Sequence, residues 1–402
     1  MPQFRTLRDV AVRGKRVVVR EDLNVPLKDR AVGDPTRIVA ALETLRFLRD
    51  NGARTVVLSH LGRPDGVVVP ALSLRPVATE LARRLGSPVA FAADSIGPIA
   101  HEAVAALRDG DVLLLENVRF HPGEEANDPA FARALASLGD LYVNDAFGTA
   151  HRAHASTEGI ARDLPAVAGF LMEAELNALA ALTTHPVQPF VCVIGGAKVK
   201  DKVGVFTHLL ERVSAFAIGG GMANTFLAAQ GVNVGRSLKD SDLAPARAIL
   251  ELAGARGVPL HLPVDAVVST AFDADSGATT VALSEVGDRM ILDIGPRTAE
   301  EYARVLRTAR TIVFNGPMGV YEKAPYRAGT RTVGEAIAAA TRAGATSVVG
   351  GGDAAAAAHE LGFADAMTHV STGGGATLEF LEGKTLPGVA ALERAAREQS
   401  AV

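Results

Sequence analysis

The sequence lacks the features that mark disulfide-bonded, membrane-spanning and secreted proteins. A single cysteine, Cys192, can form no internal disulfide, which suits a reducing compartment, and its place inside the apolar run 190–194 indicates a core residue and not a nucleophile. No run of about 18 apolar residues occurs, and the amino terminus has no apolar signal core. We therefore expect a soluble, untargeted protein of the cytoplasm.

Neither positive nor negative charge is in large excess. The formal net charge is -4, the isoelectric point is near 6.2, and no long block of Lys or Arg stands out. This balance argues against a nucleic acid or a membrane surface as partner, so any cationic site must be local. Apolar residues, by contrast, are plentiful. The 402 residues are 48% hydrophobic and 21% charged, which predicts a buried core and two globular domains.

Strand-like and helix-like patterns alternate along the chain. Short continuous apolar runs predict strands at residues 16–19, 55–58, 112–115, 141–143, 190–194, 215–218, 260–262, 311–314 and 347–349. Apolar residues three and four apart predict helices between them, at residues 37–51, 74–85 and 130–138 among others. Continuous apolar strands are typical of parallel sheets covered by helices on both faces. The sequence therefore predicts two doubly wound, Rossmann-like α/β domains.

Two further segments have a distinct pattern. Residues 169–184 have leucines at helical spacing and are closed by His185 and Pro186, which predicts one helix joining the two domains. Residues 281–294, flanked by glycines, predict an antiparallel hairpin or edge strands.

In the first half, polar and charged side chains follow four predicted strands. They are Asp22 and Asn24, then His60 and Arg63, then Arg119, then Arg152. Ligands of open parallel sheets bind beyond the carboxyl ends of the strands, and with Arg37 near a helix start these groups would form an anion pocket. Such a pocket suits a small phosphorylated carboxylate. Taken singly, Asp22 to Pro26 also fits an ordinary Asx-turn, and a lone loop arginine is usually a solvated surface group.

In the second half, glycine clusters interrupt four apolar runs, at residues 195–196, 219–221, 350–352 and 373–375. Each precedes a helix-like stretch, so backbone N–H groups and positive helix ends can converge on an anion such as a nucleotide phosphate. Lys198 and Lys202 are four residues apart, which predicts that they share one helical face. Asp353 could hold magnesium through phosphate oxygens, or simply cap a helix. Glu322 could accept hydrogen bonds from ribose hydroxyls.

Two sequence patterns imitate other nucleotide sites. Gly383-Lys384-Thr385 resembles the end of a P-loop, but Leu378 stands where that motif needs its first glycine. The glycines at 219 and 221 are followed by Asn224 where a dinucleotide fingerprint needs a third small residue. A dinucleotide site is therefore poorly supported.

Together, the motifs at residues 20–26, 59–64, 114–120, 144–157, 195–202, 315–322, 350–353 and 371–389 resemble those of the phosphoglycerate kinase family, in order and over nearly the whole chain. The resemblance implies two Rossmann-like domains facing a cleft: residues 1–168 with a returning tail, 386–402, and residues 186–385, joined by a helix over 169–185. It implies reversible transfer of the acyl phosphate of 1,3-bisphosphoglycerate to ADP, with hinge closure, by a monomer that uses Mg²⁺.

The resemblance also assigns residues to the two substrates. For 3-phosphoglycerate or 1,3-bisphosphoglycerate they are Asp22, Leu23, Asn24, Arg37, His60, Leu61, Gly62, Arg63, Arg119 and Arg152. For Mg-ADP or Mg-ATP they are Gly196, Lys198, Lys202, Gly219, Gly220, Gly295, Asn315, Pro317, Glu322, Gly350, Gly351, Gly352, Asp353 and Ala354, with Asp353 at the metal. Arg37, Lys198 and the N–H groups of Gly373 and Gly374 would act on the transferred phosphoryl group.

This chain departs from the family pattern in places. Ala354 stands where members commonly have Ser or Thr, so we expect weaker nucleotide binding and not inactivity. Glu21 replaces a commonly apolar residue, and residues 323–326 differ from the usual aromatic stretch. Two other functions stay open from the sequence alone: a dehydrogenase on the same fold, and a non-catalytic binding protein that kept the scaffold.

Overall fold

A computed structural model describes residues 4–272 and 277–400. The chain divides into two compact units, one formed by Met1–Asn177 with Thr385–Val402 and the other by Ala178–Lys384. Each unit contains one six-stranded parallel sheet with helices packed against it, so the predicted fold class is confirmed.

The amino-terminal unit is built on strands whose apolar residues are buried on both faces. Its strands are β1 (Arg16–Arg20), β2 (Leu27–Lys28), β3 (Ala31–Val32), β4 (Arg54–Leu58), β5 (Val89–Ala92), β6 (Val112–Leu115), β7 (Leu141–Asn144) and β8 (Ala166–Ala168). The sheet order is β5-β6-β4-β1-β7-β8, and β2 and β3 form a separate antiparallel hairpin. Four parallel strands are therefore neighbours, in the order β6, β4, β1 and β7. Their carboxyl ends lie along one edge of the sheet.

The helices of this unit cover the sheet. They are α1 (Thr36–Asp50), α2 (Arg75–Leu85), α3 (Gly97–Ala105), α4 (Pro122–Glu125), α5 (Pro129–Ala136) and α6 (Phe170–Thr183). Leu45 and Leu48 of α1 and Leu81 of α2 join Val57 of β4 in one buried apolar cluster. The periodicity over 169–184 predicted a helix, and α6 confirms that helix. The division between the two units falls within α6, after Asn177. The carboxy-terminal helix, Pro387–Ser400, belongs to the amino-terminal unit.

The carboxy-terminal unit repeats the same scheme. Its strands are β9 (Phe190–Ile194), β10 (Ala215–Ile218), β11 (Leu260–His261), β12 (Asp265–Ser269), β13 (Thr279–Ala282), β14 (Met290–Ile294), β15 (Thr311–Asn315), β16 (Thr346–Val349) and β17 (His369–Val370). The parallel sheet has the order β11-β10-β9-β15-β16-β17. Its helices are α7 (Val203–Leu209), α8 (Gly220–Ala229), α9 (Ala244–Arg256), α10 (Pro296–Arg307), α11 (Ala328–Arg342), α12 (Gly352–Glu360) and α13 (Gly375–Leu381).

The segment 281–294 is antiparallel but does not form the predicted hairpin. β13 and β14 do not pair with each other; both pair with β12, which lies between them in a three-stranded sheet. The hairpin alternative was wrong because the central strand comes from earlier in the chain, whereas the alternative of edge strands is confirmed, since β13 and β14 are the two edges of this sheet. Within the described ranges, no helix is long and apolar enough to cross a bilayer.

Candidate active site

The loops after β1 and β4 of the amino-terminal unit are fastened to each other. Ser59 Oγ donates to the carbonyl oxygen of Glu21 at 2.8 Å and accepts from the Leu23 N–H at 2.9 Å. Asn24 Oδ1 accepts from the Gly62 N–H at 2.9 Å. The sheet order explains this, because β1 and β4 are adjacent and parallel. The chain segments that carry Asp22 and His60 are therefore held side by side.

Asp22 takes part in a local turn and in an ion pair at once. Its Oδ1 accepts from the Asn24 N–H at 3.3 Å, which is the Asx-turn geometry, and its Oδ2 accepts from Arg37 Nη1 at 2.7 Å. The turn and the charged site are thus not alternatives. Leu23 and Leu61 are buried in the core, so they can reach a ligand only through their backbone. Gly62 has φ +64°, and an added Cβ would lie 2.8 Å from Leu72 Cδ2, so the turn requires glycine.

Guanidinium groups surround His60. Burial holds the pKa of His60 well below its ordinary value, and the positive charges of Arg20, Arg119, Arg37 and Arg152 lower it further. The imidazole is therefore neutral at pH 7. Since Coulomb effects of this kind act over short distances, four arginines from four different chain segments converge on this one side chain.

The members of this arginine cluster differ in exposure. Arg119 is 3% exposed, donates from Nη1 to the Gly62 carbonyl oxygen at 2.9 Å, and has a pKa lowered mainly by burial. Arg152 is half-buried and donates from Nε to His151 Nε2 at 3.3 Å. Arg63, predicted for the same pocket, is not among the four arginines that act on His60; it is exposed and makes no hydrogen bond within the described part of the chain. The cluster thus combines a fixed, buried cation with accessible ones, which suits an anion that enters from solvent.

The carboxy-terminal unit has two adjoining cavities that share Gly196 and Ala197 in their walls. The larger has a volume of about 540 Å³ and a mainly apolar wall. It includes Gly220, Pro317 and Glu322 among the predicted nucleotide residues. The smaller has a volume of about 360 Å³. Its wall contains the predicted residues Gly196, Lys198, Lys202, Asn315, Gly350, Gly351, Gly352, Asp353, Ala354 and Gly374. The apolar cavity suits the base of a nucleotide. The adjoining cavity, lined by glycines and containing lysines, suits its phosphates.

Lys198 and Lys202 do not share a helical face, so that prediction was wrong. Lys198 lies in an irregular segment and is exposed, and only from Lys200 does the chain form a 3₁₀ turn that leads into α7. The Lys202 ammonium donates to the carbonyl oxygens of Gly195 at 2.7 Å and Asn315 at 2.6 Å. Burial lowers the pKa of Lys202 to about 8. Lys202 therefore ties the end of β9 to β15 at the cavity, whereas Lys198 is exposed and forms no hydrogen bond with the described residues.

The glycine clusters contribute unequally to the cavity wall. Many of their N–H groups already donate to carbonyl or hydroxyl oxygens of the protein, namely those of Gly195, Gly219, Gly220, Gly350 and, through Ser371 Oγ at 3.1 Å, Gly373. Within the described residues, the N–H groups of Gly196, Gly351, Gly352 and Gly374 donate to no protein acceptor. Three of the four clusters lead directly into a helix, α8, α12 and α13, while the first leads into the 3₁₀ turn. The N–H groups available to an anion are therefore fewer than the glycine count suggests.

Some predicted residues are placed away from the cavities or differently from expectation. Gly219 and Gly295 do not line either cavity; an added Cβ on Gly219 would meet Met318 at 2.6 Å, and on Gly295 it would meet Asp265 at 2.2 Å. Close packing explains these glycines. Asp353 is not a helix cap, because Gly351 occupies that position with φ +100°, and the Asp353 carboxylate is exposed in the first turn of α12. The capping interpretation was wrong, which leaves the carboxylate available for a ligand.

The family model for phosphoglycerate kinase matches residues 7–384. This chain belongs to the phosphoglycerate kinase family. The phosphoglycerate kinase of Chloroflexus aurantiacus is 54% identical over 396 residues, which cover 97% of this chain and 99% of the relative. That of Moorella thermoacetica is 54% identical over 389 residues, covering 96% and 98%.

Solved structures of the phosphoglycerate kinase family agree with the fold. The phosphoglycerate kinase of Coxiella burnetii matches with a TM-score of 0.89 at 40% identity, covering 98% of this chain and 100% of that one. That of Pyrococcus horikoshii OT3 matches with a TM-score of 0.82 at 35% identity, covering 99% and 100%. The chain is accordingly a kinase, and the reaction of its family is one of the phosphoryl transfer steps of glycolysis.

Several polar groups near these phosphoglycerate kinase sites were not singled out from the sequence. Asp293 is buried in the wall of the larger cavity, and burial raises its pKa to about 7. Glu124 and Ser156 form a buried hydrogen-bonded pair near the arginine cluster. Ser156 lies in the motif at residues 144–157, whereas Asp293 and Glu124 lie in none of the motifs. No sequence pattern indicates that a single carboxylate is buried. Cys192 is fully buried with its pKa raised to about 12, which confirms the core prediction.

Proposed function

We propose that this chain catalyses reversible transfer of the acyl phosphate of 1,3-bisphosphoglycerate to ADP, giving 3-phosphoglycerate and ATP, by direct in-line transfer. The observation that supports it most is the arginine cluster around neutral His60. A compact set of guanidinium groups is the arrangement that recognises carboxylate and phosphate groups together.

In this proposal the amino-terminal unit holds the glycerate. Arg63, Arg119 and Arg152 supply charge-assisted hydrogen bonds to the phosphate of the glycerate. The Asp22 carboxylate accepts from the glycerate hydroxyl, and the Asn24 amide N–H donates to the hydroxyl or the carboxylate. Arg37 binds the transferred phosphoryl group. Asp22 accepts from one of the five N–H donors of Arg37, and the other donors remain for the ligand. Removing a donor from such a set costs transition-state stabilisation and not folding.

The carboxy-terminal unit holds the nucleotide in the same proposal. The larger cavity takes the base and ribose, with Glu322 at the ribose hydroxyls, and the smaller cavity takes the phosphates. Mg²⁺ fits there, because it is usually bound by one or two carboxylates together with phosphate oxygens and water, and Asp353 is an exposed carboxylate in that wall. When bound, the ion would neutralise charge on the phosphate oxygens.

The chemistry requires positioning and charge and no general base. The acceptor oxygen, of a carboxylate or of a diphosphate, is already ionised at neutral pH. Lys198, which is exposed, binds the phosphoryl group in transfer, and the free Gly374 N–H donates to it. The Gly373 N–H can join only after it leaves Ser371 Oγ. Because different units hold the two substrates, turnover needs a closing movement, with hinges near Gly169 and residues 371–375.

The proposed setting is that of a monomeric enzyme in the cytoplasm that binds neither nucleic acid nor membrane. The even charge balance of the sequence supports the absence of those two partners. Monomeric state is tested by light scattering at working concentration, where a dimer mass would contradict it.

A coupled assay decides the function. Purified protein is supplied with 1,3-bisphosphoglycerate, ADP and Mg²⁺, and ATP is detected with luciferase. We expect ATP formation that saturates with both substrates. Saturable binding of a nicotinamide cofactor without ATP formation would support a dehydrogenase instead. Binding of both substrates without turnover would support a non-catalytic binding protein.

A further inference from the structure

Arg20 is buried at the carboxyl end of β1 and is held on three sides. Only 1% of the residue is exposed. Its Nε donates to Ser156 Oγ at 2.8 Å, its Nη1 donates to the carbonyl oxygen of Glu21, and its Nη2 lies 3.1 Å from His60 Nδ1. The guanidinium plane is therefore fixed relative to the imidazole ring of His60.

A buried carboxylate completes the support of Arg20. Ser156 Oγ, which accepts from Arg20, itself donates to Glu124 Oε1 at 2.6 Å, and the Ser156 N–H donates to Glu124 Oε2 at 2.9 Å. The Tyr142 hydroxyl donates to the Ser156 carbonyl oxygen at 2.8 Å. Glu124, Ser156 and Tyr142 are all fully buried. This network has no solvent to exchange with, so it fixes the direction of the Arg20 donors.

The contact between Arg20 and His60 determines where the imidazole proton lies. A guanidinium has five N–H donors and no acceptor, and it does not lose its charge in proteins. His60 Nδ1 must therefore accept with its lone pair. In a neutral imidazole one nitrogen accepts and the other carries the proton, so the proton is on Nε2. A second proton on Nδ1 would face the Arg20 guanidinium directly.

The Nε2 edge of His60 is not used by the protein. No hydrogen bond of Nε2 occurs within the described residues, and Nε2 is not one of the buried polar atoms that lack a partner there. The atom therefore reaches solvent, on the side chain that the arginine cluster surrounds. A donor in that place can act only on something that enters the cluster.

We propose that Arg20 is a positioning residue that locks His60 as the neutral Nε2–H tautomer, and that this Nε2–H donates a hydrogen bond to the anionic glycerate substrate. The second part rests on the proposed function; the first does not. A neutral donor adds direction to the site without adding a fifth positive charge to the cluster. An imidazolium in the same place would repel its four arginine neighbours and would lose the Arg20 contact.

The first test reads the tautomer in the ligand-free protein. Protein labelled with ¹⁵N-histidine is observed at pH 7 by long-range proton–nitrogen correlation, and the His60 signals are assigned by their loss in His60→Gln. We expect a protonated Nε2 and an unprotonated Nδ1. A protonated Nδ1, or a doubly protonated ring, overturns the assignment. Since no turnover is needed, this result stands apart from failure of the proposed function, which the ATP assay reports.

The second test separates the two ring positions. The amide nitrogen of Gln can occupy the place of Nε2, whereas the shorter Asn reaches only the place of Nδ1. We expect His60→Asn to raise the KM for 3-phosphoglycerate roughly tenfold or more above that of His60→Gln, as for loss of one hydrogen bond to a charged group, with the same KM for ATP in both variants. Equal KM values for 3-phosphoglycerate overturn the donor role. Circular dichroism of both variants verifies that they are folded.

Discussion

The guanidinium of Arg37, at the start of α1, is paired with the Asp22 carboxylate at 2.7 Å between Nη1 and Oδ2. The Arg37 side chain is nevertheless 37% exposed, whereas that of Asp22 is 10% exposed. Asp22 thus fixes one end of a cation that remains open to ligand. An ion pair whose cation is this exposed contributes little to folding, so its arrangement indicates a role in binding or catalysis.

Replacing Arg37 tests that role. Arg37→Ala should lower kcat for ATP formation by roughly 10² or more, by analogy with the loss of one preorganised charge donor, with little change in thermal stability. Arg108→Ala is the matched control, because Arg108 is exposed and precedes β6, at the opposite edge of the same sheet. A near-normal kcat in Arg37→Ala would remove Arg37 from the mechanism.

Lys202→Ala should chiefly raise the KM for ADP. The ammonium bridges the carbonyl oxygens of Gly195 and Asn315 in the wall of the smaller cavity, so its loss changes both the charge and the shape of that wall. Lys200→Ala, which removes an exposed lysine two residues away, should leave the KM unchanged. Unchanged KM for ADP with a raised KM for 3-phosphoglycerate would contradict the assignment of substrates to the two units.

The same lysine predicts a pH dependence. Burial lowers the pKa of Lys202 to about 8, so the free enzyme loses this positive charge as the pH rises through that value. The KM for ADP should therefore rise between pH 7 and pH 9, and the rise should be absent in Lys202→Ala. Initial rates at several ADP concentrations across this range measure the effect.

The candidate site of the amino-terminal unit was predicted from the residues that follow its strands. Parallel strands buried on both faces are continuous apolar runs, so β1, β4, β6 and β7 were visible, and the polar residues beyond them were placed at one edge. The two edge strands of the amino-terminal sheet were missed: β8 has three residues, and β5 has only one buried residue, so neither is a long apolar run. Short edge strands are defined by their neighbours and not by their own composition.

The irregular part of the site could not be predicted in the same way. Spacing of four residues placed Lys198 and Lys202 on one helix, but Gly196 at φ +112° starts an irregular segment, and α7 begins only at Val203. Likewise, sequence could not show that the Gly373 N–H is engaged by Ser371 Oγ. Every residue except proline carries the same backbone N–H, so only the structure distinguishes a free N–H from an occupied one.

Ala354→Ser should strengthen nucleotide binding. Ala354 is buried in the first turn of α12 and lines the smaller cavity, where a hydroxyl would face the phosphates. One added hydrogen bond contributes about 0.5–1.5 kcal/mol, so the KM for ADP should fall roughly twofold to tenfold. Ala356→Ser, on the exposed side of the same helix, should have no effect. A higher KM in Ala354→Ser would mean that the wall has no room for a hydroxyl.

Glu21 is a buried carboxyl group that the proposed mechanism does not use. It follows Arg20, is fully buried, and neither carboxyl oxygen meets a hydrogen-bond partner within the described residues. Burial raises its pKa well above the ordinary value, and the neighbouring Asp145 carboxyl raises it further. Burial also raises the pKa of Asp145 to about 6. The folded chain therefore keeps protons that the unfolded chain loses.

The sign of the resulting pH dependence follows from this difference. Below the ordinary carboxyl pKa, near 4.5, Glu21 is protonated in both states and has no effect. Above it, the unfolded state binds fewer protons than the folded state, so the free energy of unfolding falls as the pH rises, by at most about 1.4 kcal/mol per pH unit for one group. The loss ends where the pH passes the raised pKa of the folded state.

Glu21→Gln should therefore stabilise the amino-terminal unit at pH 8 and have a much smaller effect at pH 5. The amide has a similar shape, does not ionise, and can donate to the Asp145 carboxylate. Hydrogen exchange of peptides from β1 and α1 reports this unit, and peptides from β9 and β15 serve as an internal reference. Glu43→Gln, on the exposed face of α1, is the control. If the difference between Glu21→Gln and the wild type were the same at both pH values, the buried Glu21 carboxyl would not be protonated in the folded chain.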